Sequence, residues 1–130
     1  MYKIYCDGAS RSNPGEASIG VSIQNDEQEV DTIAKKIGVA TNNVAEYEGL
    51  RTALDYCDKN NIKNVQIYLD SLLVVQQVNG KYKVKSKKLQ THYEKSLKLI
   101  DQIEDIEIHH IRREFNSRAD QLANEALDEI

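Results

Sequence analysis

At 130 residues, 40% hydrophobic and 29% charged, the chain has the size and composition of one globular domain with room for a real core. Two cysteines are too few for a disulfide scaffold. No apolar run approaches a membrane span and no basic-then-apolar segment opens the chain, so a cytoplasmic monomer without membrane contact is expected. The net charge of −4 argues against a nucleic-acid partner in bulk, yet residues 81–88, KYKVKSKK, hold five lysines and no acid.

In chain order, Tyr2–Cys6 alternates as a strand does, with Ile4 and Cys6 on one face and Lys3, Tyr5 and then Asp7 on the other. The strand is expected to end at Asp7, ahead of a turn built from Gly8, Ser10, Ser12, Asn13, Pro14 and Gly15. Ala17–Gln24 sets Ile19, Val21 and Ile23 against Ser18, Gly20 and Ser22, which predicts a half-buried strand. Gln28–Ile37, less clearly patterned, completes an antiparallel meander. Thr41, Asn42 and Asn43 cap a helix to about Asp58, with Tyr47, Leu50, Leu54 and Cys57 on one stripe. Gly49 inside it costs roughly 1 kcal/mol against Ala, a cost that close packing on the sheet would justify.

Asn64–Leu69 is a fourth strand ending in Asp70, and Ser71 caps a short helix through Val78. After the lysines, a helix runs from about Ser86 to Ile103, and Ile106–Ile111 is a fifth strand. Asn116 or Ser117 caps a last helix carrying Ala119, Leu122, Ala123 and Ala126. The order βββαβααβα predicts an α/β fold, a five-stranded mixed sheet flanked by helices, as one domain over 1–130. Cys6 and Cys57 lack metal-type spacing and are expected to be buried free thiols.

Four acids, Asp7, Glu46, Asp70 and Asp120, stand at element ends. If the first and fourth strands are parallel neighbours, a spacing of about 4.8 Å brings Asp7 and Asp70 together. Such carboxylates suit two hard cations roughly 3.5–4 Å apart, as used for phosphodiester cleavage. Without a cation they would repel one another or share protons, so Mg²⁺ or Mn²⁺ is implied. Each acid also has a plain structural reading. Glu46 lies three residues after Asn43 and Asp120 three after Ser117, both of which fit capping arrangements, while Asp7 and Asp70 fit turns.

Four stretches, DGASRSNPG, TNNVAEYEGL, LDSLLVVQQVNG and HIRREFNSRADQLANEAL, together resemble the type 1 ribonuclease H family from end to end. The resemblance implies a ribonuclease H-like fold and hydrolysis of the RNA strand of an RNA/DNA hybrid, leaving a 5′-phosphate and a 3′-hydroxyl. It implies two Mg²⁺ ions, with Mn²⁺ as an alternative. Asp7 would bridge them, Asp120 would help hold the ion at the attacking water, and Glu46 with Asp70 would hold the ion facing the leaving oxygen.

RNA differs from DNA by its 2′-hydroxyl, which donates and accepts. The expected substrate-binding residues are Gly8, Ser10 and Asn13 in the opening turn and Thr41, Asn42 and Asn43 at the helix start. Ser71, Arg113 and Asn116 complete the set, with the last two ordering the approach to Asp120. His110 sits ten residues before Asp120, where many family members carry a histidine that helps product leave, although here it falls in a strand-like stretch. The basic handle of longer family members is absent, which leaves the lysines of 81–88 to grip a phosphate backbone and makes cutting of double-stranded RNA conceivable. The competing readings are a hybrid-binding module that cuts poorly, a DNA-processing enzyme of the integrase type, and a structural protein with incidental acids.

Overall fold

The structure is a computed structural model and describes residues 1–128. In those residues β1 (Tyr2–Ser10), β2 (Gly15–Asn25) and β3 (Gln28–Ala40) form an antiparallel meander. Next come α1 (Asn42–Lys59), β4 (Asn64–Leu69), α2 (Leu72–Val78) and α3 (Lys87–Asp101). After β5 (Asp105–His110), a 3₁₀ turn at Arg113–Phe115 leads into α4 (Ser117–Asp128). β4 pairs in parallel with both β1 and β5, giving one mixed sheet in the order β3-β2-β1-β4-β5. The expected element order and mixed sheet are therefore present. Thr41, Ser71 and Ser86 cap α1, α2 and α3, each hydroxyl accepting the N–H three residues on. Among the described residues no helix is long and apolar enough to cross a membrane. Cys6 and Cys57 are buried free thiols.

The apolar face of the sheet, with Ile4, Cys6, Ile19, Val21, Ile23, Ile67 and Leu69, is fully buried in the main core, which also takes in the stripe of α1. Gly49 lets that helix come close, because a Cβ there would sit 2.8 Å from the Asp7 carbonyl oxygen. The packing that would justify its helical cost is thus in place.

Three differences from the sequence reading matter for the site. First, β2 is not half-buried, since every residue from Ala17 to Ile23 is buried. Its small polar face is roofed by α4, with Ser18 donating to the Ala123 carbonyl at 2.5 Å. Arg118 on α4 forks onto Glu29 of β3 through two 2.9 Å bonds, and Ser22 donates to the same carboxylate at 2.9 Å. Second, β1 does not stop at Asp7 but continues on β2 as far as Ser10↔Ala17. Third, β3 runs on to Ala40 and its register shifts twice against β2. Each shift leaves an extra residue in β3, Val30 and Ile37, and this is why its alternation is hard to read.

Gly20 is the tightest point of the α4 roof: a Cβ would run into the Ala119 carbonyl and come within 2.5 Å of the Ala123 nitrogen. Gly20→Ala is therefore expected to lower unfolding stability by about 1–3 kcal/mol, read as a drop in the urea midpoint with an unchanged m-value. An unchanged midpoint would show that α4 is not seated on β2 in this way.

Candidate active site

The site forms where the sheet divides. The parallel pairing of β1 with β4 ends at Tyr5↔Tyr68, and beyond it β1 stays with β2 while β4 stays with β5. Asp7 lies on the β1 arm and Asp70 follows the last residue of β4. α1, held close through Gly49, adds Glu46, whose Oε1 accepts the Gly8 N–H at 3.0 Å. α4 adds Asp120 from its first turn. One oxygen from each of Asp7, Glu46 and Asp70 lies within 4.8 Å of the other two. Asp120 stands outside that tight group but lines the same cavity, about 320 Å³ in volume, with Gly8, Ala9, Ser10, Asn42, Arg113 and Asn124.

Crowded buried carboxylates cannot all be charged without compensation. Burial pushes the Asp7 carboxyl up to about 7, with the Asp70 and Asp120 carboxylates adding to the push and a hydrogen bond from Glu46 opposing it. Burial also raises Glu46 well above the usual carboxylate range, followed by the contact with Asp7. Its Oε2 is buried without a donor. A set of crowded carboxylate oxygens with one orphaned acceptor fits hard divalent cations, which take oxygen ligands and supply the missing positive charge. Asp7, Glu46 and Asp70 are the group that could hold them, and Asp120 lines the same cavity. An Arg113 nitrogen lies 4.0 Å from Asp120 Oδ1 on a largely exposed side chain.

The other expected residues fall in different places. Gly8, Ser10, Asn42 and Arg113 line the acidic cavity. Asn13, Thr41 and Asn43 line a second concavity of about 250 Å³ beside it, joined there by Ser86 and Lys88. Asn13 Oδ1 accepts the Asn42 N–H at 3.1 Å and ties the opening turn to the start of α1. Ser71 caps α2 and lines neither space. Asn116 is buried and donates to the Cys6 carbonyl and to Asp70 Oδ2, both at 3.0 Å. His110 is exposed at the end of β5, opposite Leu69, and lines neither space. The lysines of 81–88 are exposed around Val84, which packs on the core.

Asn124 escaped the sequence reading. It lines the acidic cavity one turn beyond Asp120, and its amide donates to the Asp120 carbonyl at 3.0 Å. The i,i+4 spacing on one helix face was the available signal.

The family described as reverse transcriptase-like matches residues 5–126. A ribonuclease HI from Halobacterium salinarum is 39% identical over 126 residues, covering 96% of this chain and 63% of the relative. The crystal structure of an RNase H1 from the same archaeon matches with a TM-score of 0.96 at 36% identity, covering 99% of this chain and 98% of that one. A bifunctional protein of Mycobacterium tuberculosis is 39% identical over 127 residues, and the chain spans only 35% of its length while 96% of the chain is covered. LC11-RNase H1, crystallised in complex with an RNA/DNA hybrid, matches with a TM-score of 0.92 at 39% identity, covering 98% of this chain and 97% of that one.

The acidic cluster has a consequence for stability. Asp7 binds its proton more tightly in the folded chain, at about 7, than at its ordinary 3.8. Metal-free stability from this group is therefore full below its ordinary 3.8 and is lost as pH rises to about 7, by on the order of 4 kcal/mol. In EDTA the melting temperature should fall between pH 5 and pH 8. Asp7→Asn should flatten this trend and melt above the wild type at pH 8, and excess Mg²⁺ should restore the wild type. Thermal melts that stay level or rise with pH would contradict the account.

Proposed function

The chain belongs to the reverse transcriptase-like, ribonuclease H family, and on that premise we propose that it is a metal-dependent endoribonuclease cutting the RNA strand of RNA/DNA hybrids. The observation that carries the reading is the convergence of Asp7, Glu46 and Asp70, from three separate elements, within 4.8 Å of one another. A cluster so costly to bury unpaired suits a chain that uses divalent cations, Mg²⁺ with Mn²⁺ as alternative. When bound, two such ions supply Lewis acidity for an in-line displacement, giving 5′-phosphate and 3′-hydroxyl ends.

The chain's own residues do the rest. The Gly8 N–H fixes one oxygen of Glu46 and leaves the other buried without a donor. Asn42 lines the cavity with an amide that can both donate to and accept from a ribose 2′-hydroxyl, the group that separates RNA from DNA. Arg113, exposed beside Asp120, is placed to meet a phosphate entering the cavity. The neighbouring concavity offers the Thr41 and Ser86 hydroxyls, the Asn43 amide and the Lys88 ammonium, a donor set suited to a phosphate of the second strand. Two buried free thiols suit a reducing, cytoplasmic compartment.

The test is cleavage of labelled RNA/DNA hybrid, RNA duplex and DNA duplex with Mg²⁺, Mn²⁺ or EDTA. The expected result is metal-dependent cutting of the hybrid's RNA strand alone, reduced by roughly 10²–10³-fold or more in Asp7→Asn. Hybrid binding without cutting under either metal would leave a binding module instead.

Lys83 and Lys85 give a second, independent prediction. Replacing both by Gln should weaken hybrid binding alike for all sequences and lower the slope of log affinity against log salt by about one for each phosphate that a lysine no longer neutralises. An unchanged slope would make the stretch a solvated loop.

A further inference from the structure

The two strands carrying Asp7 and Asp70 stop pairing two residues short of each acid, at Tyr5↔Tyr68. A weak thiol contact, Cys6 Sγ to the Tyr68 carbonyl at 3.7 Å, spans the base of the resulting fork. Asn116 stands inside it, 1% exposed. Its Nδ2 donates one proton to the Cys6 carbonyl on the β1 arm and the other to Asp70 Oδ2 on the β4 arm, both at 3.0 Å. The orientation of the amide is decided by these neighbours, because two acceptors can only be faced by the nitrogen.

That arrangement has a cost, since Asn116 Oδ1 is buried with no donor and an unmade buried hydrogen bond is unfavourable. The Asn116 backbone is held as well: its N–H donates to the Arg113 carbonyl at 2.9 Å and its carbonyl accepts from Asp120 at 3.1 Å. One residue thus touches the β1 arm, Asp70 and the helix that carries Asp120.

We propose that Asn116 is a positioning residue, whose amide sets the orientation of Asp70 relative to Asp7 and so pre-forms the divalent-cation site. The proposal rests on the nuclease reading above and deepens it. Asn116 is too deeply buried to meet substrate and acts through Asp70, as outer-layer partners of metal ligands do.

The experiment uses the full chain and the variants Asn116→Ser, Asn116→Ala and Asn116→Asp. Each is titrated calorimetrically with Mn²⁺ alone, melted, and assayed on RNA/DNA hybrid for kcat and KM. Mn²⁺ affinity is expected to fall about 10–100-fold, in the order wild type, Ser, Ala, Asp, which ranks the capacity to donate to Asp70. kcat should fall in the same order with KM unchanged. Affinity that tracks melting temperature instead of this order, or a rise in KM at constant kcat, would overturn the proposal, as would a wild type that binds no Mn²⁺. If the wild type binds Mn²⁺ but does not cut, the nuclease reading fails while the affinity order still decides the role of Asn116. Should the variants not fold, the side-chain amide signal of Asn116 in an ¹⁵N spectrum of the wild type decides. It is expected to shift and saturate as diamagnetic Mg²⁺ is titrated, and a signal unmoved by that ion would overturn the proposal.

Discussion

Mutual repulsion among crowded carboxylates, two of them buried, is the constraint around which this molecule is arranged. Left to themselves, Asp7, Glu46 and Asp70 would separate or take up protons, and burial already holds Asp7 and Glu46 partly in that condition. The scaffold keeps them close by anchoring each acid to a different rigid element. β1 is clamped by β2 beyond the point where β4 leaves it. α1 touches the Asp7 backbone through Gly49, and α4 is pinned on β2 and β3 through Gly20, Ser18 and the Arg118–Glu29 fork. The hydrophobic core supplies the free energy, and part of it goes into holding the acids ready to bind charge.

The two faces of the sheet divide this labour. The aliphatic face, fully buried against α1, gives most of the cohesion. The small polar face of β2 gives closeness instead, because Ser and Gly side chains let a helix backbone approach nearer than branched residues would. Asp120 depends on that second face, since α4 rests on it through Gly20 and Ser18.

Much of this was legible in the sequence, and what was not has physical reasons. Alternation located β1, β2 and β4, and the helical stripe located α1, because those signals come from burial against the large core. The covered second face of β2 was missed because Ser18, Gly20 and Ser22 have the polarity of a wet surface and the size of a packed one, and alternation records only the former. The extension of β1 past Asp7 was hidden because Gly8 and Ser10 are turn-forming residues whose local preference was overridden by pairing with β2. The acids themselves could be picked out, although only Asp70 and Asp120 fall at element ends, whereas Asp7, expected at a strand end, lies within β1. The inward turn of Asn116 could not, because an Asn at a helix start normally caps it and only the fork between two distant strands gives its amide other partners.

The two extra residues in β3 bear on how the chain behaves at high concentration. β3 is an outer strand of the sheet with open backbone groups along one side, and Val30 and Val39 stand exposed on it, at 54% and 73%. A flat thirteen-residue edge of that kind would template strand addition by a second copy and so seed fibrous aggregates. The shifts opposite Ala17/Ser18 and Ile23/Gln24 interrupt that edge at Val30 and Ile37, which shortens the run over which a second copy can pair and blunts an otherwise open sheet border.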